Sequence, residues 1–234
     1  MTMDWLTKYE DDTELYNDAK RRWPCNRYPP GKWILASYDE ESIIVYQAYN
    51  AEIAQFACEN NRFSGCSVYN QTRMTWIKTS FLWMMYRSKW ATRSNQQHIL
   101  AIYLRRSAFD NYLAQAVHSQ QQDSNEDDEK ISTSLPRQGK IRLQWDPDYH
   151  PDGTIVYGRR AIQLGLRKVE SFLDGRDVLR IVDITSFVQS QYKKAVLPKK
   201  QLDRLRIPIE RIYVPADEQT RVHIRLDPWT EAEE

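Results

Sequence analysis

The 234 residues contain no GxxxxGK-Ser/Thr phosphate loop and no GxGxxG run. A bound nucleotide would therefore be held by something other than the two common glycine-rich cradles. No HExxH or histidine–cysteine cluster is present, and His98, His118, His150 and His223 are scattered along the chain. That removes sequence support for a metal centre. No GxSxG elbow occurs, and neither Ser80 nor any cysteine has a base close by in sequence. The remaining enzymatic option is a metal-free, non-hydrolase site. Cys25, Cys58 and Cys66 are odd in number and lack CxxC spacing, which argues against a disulfide framework or structural zinc and for reduced thiols. No apolar run approaches the roughly 20 residues that cross a bilayer, and the acidic start MTMDWLTKYEDD has no signal-like apolar stretch. We expect an intracellular protein, cytoplasmic or nuclear, with no membrane partner. A formal net charge of only +1 argues against bulk polyanion binding and leaves room for a local basic patch.

Length and composition, with 41% hydrophobic and 28% charged residues, fit one globular domain. Residues 1–31 read as an N-terminal arm, with 1–22 a short amphipathic arm or helix that ends in the Pro-rich break from Trp23-Pro24 to Pro29-Pro30-Gly31, so the folded core is expected to begin near Lys32. Trp33 to Tyr38 and Ser42 to Tyr49 read as strands, SIIVYQAY being β-branched and aromatic. Asn50 is placed to cap a helix carrying Ile53, Ala54, Phe56, Ala57 and Cys58. Asn70 to Lys78 reads as a strand, Thr79-Ser80-Phe81 as a turn, and Leu82 to Trp90 as a short helix. His98 to Leu104 is another strand, followed by a helix from a Ser107 cap to Val117. Residues 119–139 combine Gln repeats and an acidic run without apolar periodicity and read as a flexible loop. Lys140 to Trp145, Thr154 to Tyr157 and Arg160 to Leu166 continue as strands. Val169 to Val188 is expected to be helical, RIPIERIYVP an edge strand, and 219–234 a C-terminal tail. The strands do not repeat as βαβ units, so the domain at 32–218 is expected to be α+β, with mixed, mostly antiparallel sheets and flanking helices.

The stretch RMTWIKTSFLWMMYRSKW, Arg73 to Trp90, crowds Trp76, Phe81, Trp83, Tyr86 and Trp90 among Arg73, Lys78, Arg87 and Lys89. It reads either as ordinary core or as the wall of a pocket for something anionic and aromatic. Trp83 and Trp90 are expected to pack inward, with Lys78, Ser80, Tyr86 and Arg87 on the pocket side.

VYQAYNAEIAQFACENNRFSG, TWIKTSFLWMMYRS, QWDP and AIQLGL together resemble a family catalogued as domain of unknown function four-two-nine-one, over most of residues 33 to 215. A second resemblance is to ADP-ribosyltransferases. In these a first strand ending in Arg or His precedes a capped helix, a second strand leads into a Ser-containing turn and helix, and a late strand carries a Glu. Tyr46-Gln47-Ala48-Tyr49, Thr79-Ser80-Phe81 and Gln163 follow that order, with Gln163 standing where those enzymes have Glu.

This second resemblance implies an ADP-ribosyltransferase-like fold, NAD as substrate and no metal. It assigns catalytic roles to Gln163 and Tyr46. NAD contacts fall to Gln47, Ala48, Tyr49, Lys78, Ser80, Tyr86 and Arg87, with backbone at Gln47 and Ala48 gripping the nicotinamide amide and Tyr46, Tyr49 or Tyr86 stacking on its ring. Ser80 would reach a ribose hydroxyl, and Lys78, Arg73 or Arg87 the pyrophosphate. Arg73, Trp76, Trp145 and Arg160 suit contact with an acceptor, a nucleic acid such as RNA. Because Gln163 can hydrogen-bond a ribose hydroxyl but cannot act as a base, two possibilities stay open: the acceptor brings its own nucleophile, or catalysis is lost. The corresponding alternative function is a non-catalytic nucleic-acid or nucleotide-binding module. A third is an interaction protein using the 119–139 loop. Oligomeric state is not legible.

Overall fold

A computed structural model of the chain describes residues 4–24, 30–119, 140–196 and 201–229. In chain order, α1 (Trp5–Asp11), β1 (Thr13–Leu15) and α2 (Tyr16–Arg22) precede β2 (Gly31–Lys32), β3 (Ile34–Ala36) and β4 (Ser42–Tyr49). Asn50 then caps α3 (Ala51–Asn60), its side-chain oxygen accepting the Ile53 N–H. β5 (Thr75–Lys78) leads into α4 (Phe81–Ser88), and β6 (His98–Arg105) into α5 (Arg106–Gln115). β7 (Val117–His118), β8 (Ile141–Tyr149), β9 (Ile155–Leu166), α6 (Glu170–Leu173), β10 (Val178–Asp183) and α7 (Thr185–Ala195) follow. β11 (Arg206–Pro208), β12 (Arg211–Tyr213) and α8 (Glu218–His223) complete the chain.

The main sheet has the order β10-β6-β4-β5-β9-β8-β7, with β2 joined in parallel to β9. The β7–β8 pairing is also parallel and the rest are antiparallel. Side chains alternate between the two faces, and that period sorts the core. One face carries Val45, Ile77, Leu100, Ile102, Leu143, Ile162 and Leu164, packed with residues of α3 and α5 such as Ala54 and Phe109. The other carries Ile44, Tyr46, Ile99, Ala101 and Tyr103, packed with residues of α1, α4 and α7 such as Tyr9, Phe81 and Phe187. The chain is thus a single α+β domain of mixed sheets and helices. Among the described residues no helix is long and apolar enough to cross a membrane.

Four expectations need correction. The segment 169–188 is not one helix. Gly175, at φ +86, breaks it where a Cβ would lie 2.6 Å from the Asn61 carbonyl, and the β-branched run that follows becomes edge strand β10. Asn61, in left-handed conformation after α3, seals that strand: its amide donates to the Leu179 carbonyl at 3.2 Å and its oxygen accepts Ile181 N–H at 2.8 Å. The N-terminal region is helical in α1 and α2, but the folded core does not begin only near Lys32, since β1 pairs with β11 and Tyr9, Tyr16 and Ala19 are buried. The expected tail begins within α8, and Trp229 lies edge-on to Trp33 with ring centres 5.9 Å apart. Finally, α5 starts at Arg106 without a side-chain cap rather than after Ser107. All of the 119–139 loop beyond Ser119 lies outside the described residues.

Candidate functional site

The site arises from a mismatch of pairing. β4 stays bonded to β6 from Ser42↔Arg105 to Tyr49↔His98, yet meets β5 only at Tyr46↔Lys78. β5 instead runs with β9, from Thr75↔Leu166 to Lys78↔Gln163. β4 and β5 therefore diverge from a single shared pair, and the wedge between them opens into a cavity of about 850 Å³. That size lies within the range of small-molecule sites. Gln47, Ala48 and Tyr49 line it from β4, Trp76 and Lys78 from β5, Trp83 and Arg87 from α4, and Gln144, Asp146 and Gln163 from β8 and β9.

Register explains why these side chains meet. Tyr46 pairs with Lys78, Lys78 with Gln163 and Gln163 with Gln144, so the four form one row on one face across β4, β5, β9 and β8. Asp146, two residues beyond Gln144, shares that face. Its carboxylate accepts Gln163 Nε2 at 2.6 Å and Gln144 Nε2 at 2.8 Å. Burial raises the Asp146 pKa above the ordinary carboxylate value, while Gln144, Lys78 and Arg160 pull it back. The Trp83 indole N–H, buried and without a normal hydrogen bond, also lies close enough to Asp146 to favour its ionised form.

Lys78 is only 7% exposed. Its Nζ donates to the Trp76 carbonyl at 2.9 Å and lies 4.9 Å from the Trp83 ring centre. Burial, with the Arg87 charge adding, lowers its pKa to about 7, against the attraction of Asp146. Arg87 is itself lowered by burial and by the charges of Arg93 and Arg73. Arg73 and Arg87 place positive charge at the cavity wall, a natural seat for phosphate.

A buried ionic seat fixes α4 behind the cavity. Ser80 caps the helix by accepting the Trp83 N–H, and its hydroxyl lies 3.2 Å from Asp148. Asp148 pairs with Arg159 at 2.6 Å, both nearly inaccessible. The Glu210 carboxyl accepts the Phe81 N–H at 2.7 Å, and burial pushes its pKa up to about 8.

Of the residues expected at the site, Gln47, Ala48, Tyr49, Arg73, Trp76, Lys78, Arg87 and Gln163 line this one cavity. Gln47 is fixed by its side chain, which donates to the Thr75 hydroxyl at 2.6 Å and accepts from Tyr49 at 3.0 Å. Five others are placed elsewhere. Tyr46, at the β4 end of the row, is fully buried, its hydroxyl 3.2 Å from that of Tyr9, and it does not line the cavity. Ser80 is occupied in the seat of α4. Tyr86, 45% exposed, stacks at 3.5 Å on Tyr149 and lies outside the wall, whereas Tyr149 lines it. Trp145 and Arg160 take the opposite strand parity. Trp145 packs on the other core and donates to the Ile224 carbonyl at 3.0 Å, while Arg160 stands beside Lys32 of β2.

Asp146, Gln144 and the pocket-facing role of Trp83 were missed by sequence reasoning. The available signal was the alternation Gln144-x-Asp146 inside QWDP, which puts two polar side chains on one strand face. Among the described residues no group of histidine, cysteine and carboxylate side chains is arranged to hold a metal ion. In comparison with known proteins, a family model described as Domain of unknown function (DUF4291) matches residues 33–213. No curated protein matches the chain.

Proposed function

The chain belongs to the DUF4291 family, and from its cleft we propose that it is an NAD-dependent ADP-ribosyltransferase that releases nicotinamide and transfers ADP-ribose to an acceptor, a nucleic acid such as RNA. The family description carries no activity, so the reading rests on the residues. One observation carries it: Gln163, at the position where a late-strand acid is expected, holds the carboxylate of Asp146 at 2.6 Å inside the cavity. The acid is displaced by one strand rather than lost.

The chemistry follows from that placement. Breaking the bond between nicotinamide nitrogen and ribose C1 leaves an oxocarbenium-like centre. The Asp146 carboxylate supplies negative charge beside it, and the Gln163 and Gln144 amides hold that carboxylate in place. An acceptor oxygen then bonds to C1 and gives up its proton, which Asp146 can accept. Arg73 and Arg87 serve the pyrophosphate, and the Trp76 and Tyr149 rings at the cavity wall offer apolar faces to flat groups.

The test is incubation with NAD labelled in its adenylate half, with RNA, DNA and protein offered separately. Nicotinamide release and labelled RNA are expected, and Asp146→Asn should lower both roughly 10²-fold. Full activity in that variant would refute the assignment of the acid. A second reading, a nucleotide- or nucleic-acid-binding module without catalysis, is favoured by the neutral amide of Gln163. It predicts NAD or RNA retention with no nicotinamide released.

A further inference from the structure

Lys78 is a buried amine with no task in the reaction above that an arginine would not perform better. A structural lysine at 7% exposure ordinarily meets a carboxylate. This one has a single hydrogen bond, to the Trp76 carbonyl, and forms no ion pair among the described residues. The charges that act on it are Arg87, which repels an ammonium, and Asp146, which attracts it. The Trp83 ring at 4.9 Å also favours the charged form. Burial and Arg87 oppose these two and prevail, lowering the amine to about 7. An unprotonated amine that lines a cavity beside another cation is the usual arrangement of a lysine nucleophile.

We infer that Lys78 is a covalent nucleophile for the open-chain aldehyde of a ribose phosphate ester, ADP-ribose in the first instance, forming a Schiff base at C1. The choice of ligand rests on the reading of the cleft as an ADP-ribose site, while the nucleophile itself does not. The steps balance without an added oxidant or reductant. The Nζ lone pair bonds to the carbonyl carbon as Asp146, entering in its acid form, protonates the carbonyl oxygen and then takes one N–H proton back from the nitrogen. The carbinolamine hydroxyl leaves as water with a proton from the same carboxyl, and the iminium then returns its remaining N–H proton to Asp146. Arg73 and Arg87, on the same cavity wall, meet the phosphates.

The experiment treats the full chain with ADP-ribose and borohydride and maps the reduced adduct by peptide mass spectrometry, with ribose 5-phosphate as a second probe. The adduct is expected on Lys78 at least ~10-fold above exposed Lys89 and Lys140, with trapping half-maximal near pH 7 rather than near the pH of about 10 typical of surface lysines. Lys78→Arg, which keeps the charge and size, should abolish the site-specific adduct. Absence of an adduct on Lys78, or labelling no greater than at Lys89, overturns the inference, and wild-type mapping alone decides this if the variant fails to fold. Because NAD is not used, a protein that traps ADP-ribose but releases no nicotinamide would refute the transferase reading and leave the nucleophile standing. Nicotinamide release without trapping would do the reverse.

Discussion

Burial of Glu210 and Lys78 tilts stability against pH in opposite directions. The Glu210 carboxyl titrates at about 8 in the folded chain against an ordinary 4.5. Folding therefore takes up a proton between those values, and the associated stability is complete below the lower one and lost as pH rises through the upper. The Lys78 amine titrates at about 7 against an ordinary 10.5, so stability rises with pH between them. Urea denaturation of Glu210→Gln should show a flatter dependence than wild type between about pH 5 and 7, below the window in which Lys78 titrates. The difference in slope should be at most about 1.4 kcal/mol per pH unit, because the amide keeps an acceptor for the Phe81 N–H without an ionising group. An unchanged slope would mean that Glu210 is already ionised in the folded protein. Neither shift is written in the sequence, since Glu210 lies 129 positions from Phe81 and nothing local marks its burial.

At the scale of elements, α4 links the buried network to the cavity. Its N-terminus is held by Ser80, Asp148 and Glu210, while Trp83 and Arg87 line the cavity. Ser80→Ala removes a cap and the hydroxyl facing Asp148, and should lower stability by about 1–2 kcal/mol in urea unfolding; a loss below a few tenths would mean that Glu210 alone seats the helix. Thr79-Ser80-Phe81 was legible as a turn and not as the cap of α4, whereas Asn50 was legible as a cap because Asn before an apolar run is a capping signal. The expected helix over 169–188 failed where a short apolar run does not distinguish helix from strand. There Gly175 and the open edge of β6 chose the strand, a pairing that local sequence cannot announce.

Over the whole molecule, the N-terminal α1 and α2 close the face of the sheet opposite α3 and α5. Tyr9, Tyr16 and Ala19 share a core with Leu35, Tyr46 and Phe81, and the Arg206 side chain donates to the Thr13 hydroxyl at 2.9 Å. Deleting residues 1–22 should therefore abolish cooperative unfolding in urea rather than trim an arm. A truncated chain with a wild-type transition would show that these contacts are dispensable.

The sequence by itself determined the α+β class, most strands and the cap of α3, because alternation and capping act over a few residues. It also brought Gln47, Ala48, Tyr49, Lys78, Arg87 and Gln163 under suspicion as one site. Tertiary structure alone decided which side of the sheet each faced and who stood beside it. The one-pair contact of β4 with β5 opened the cavity, strand parity turned Trp145 away, and the β8–β9 register set Asp146 against Gln163. A hydrogen bond between residues 17 apart depends on how two strands align, and register is fixed by the packing of a whole face.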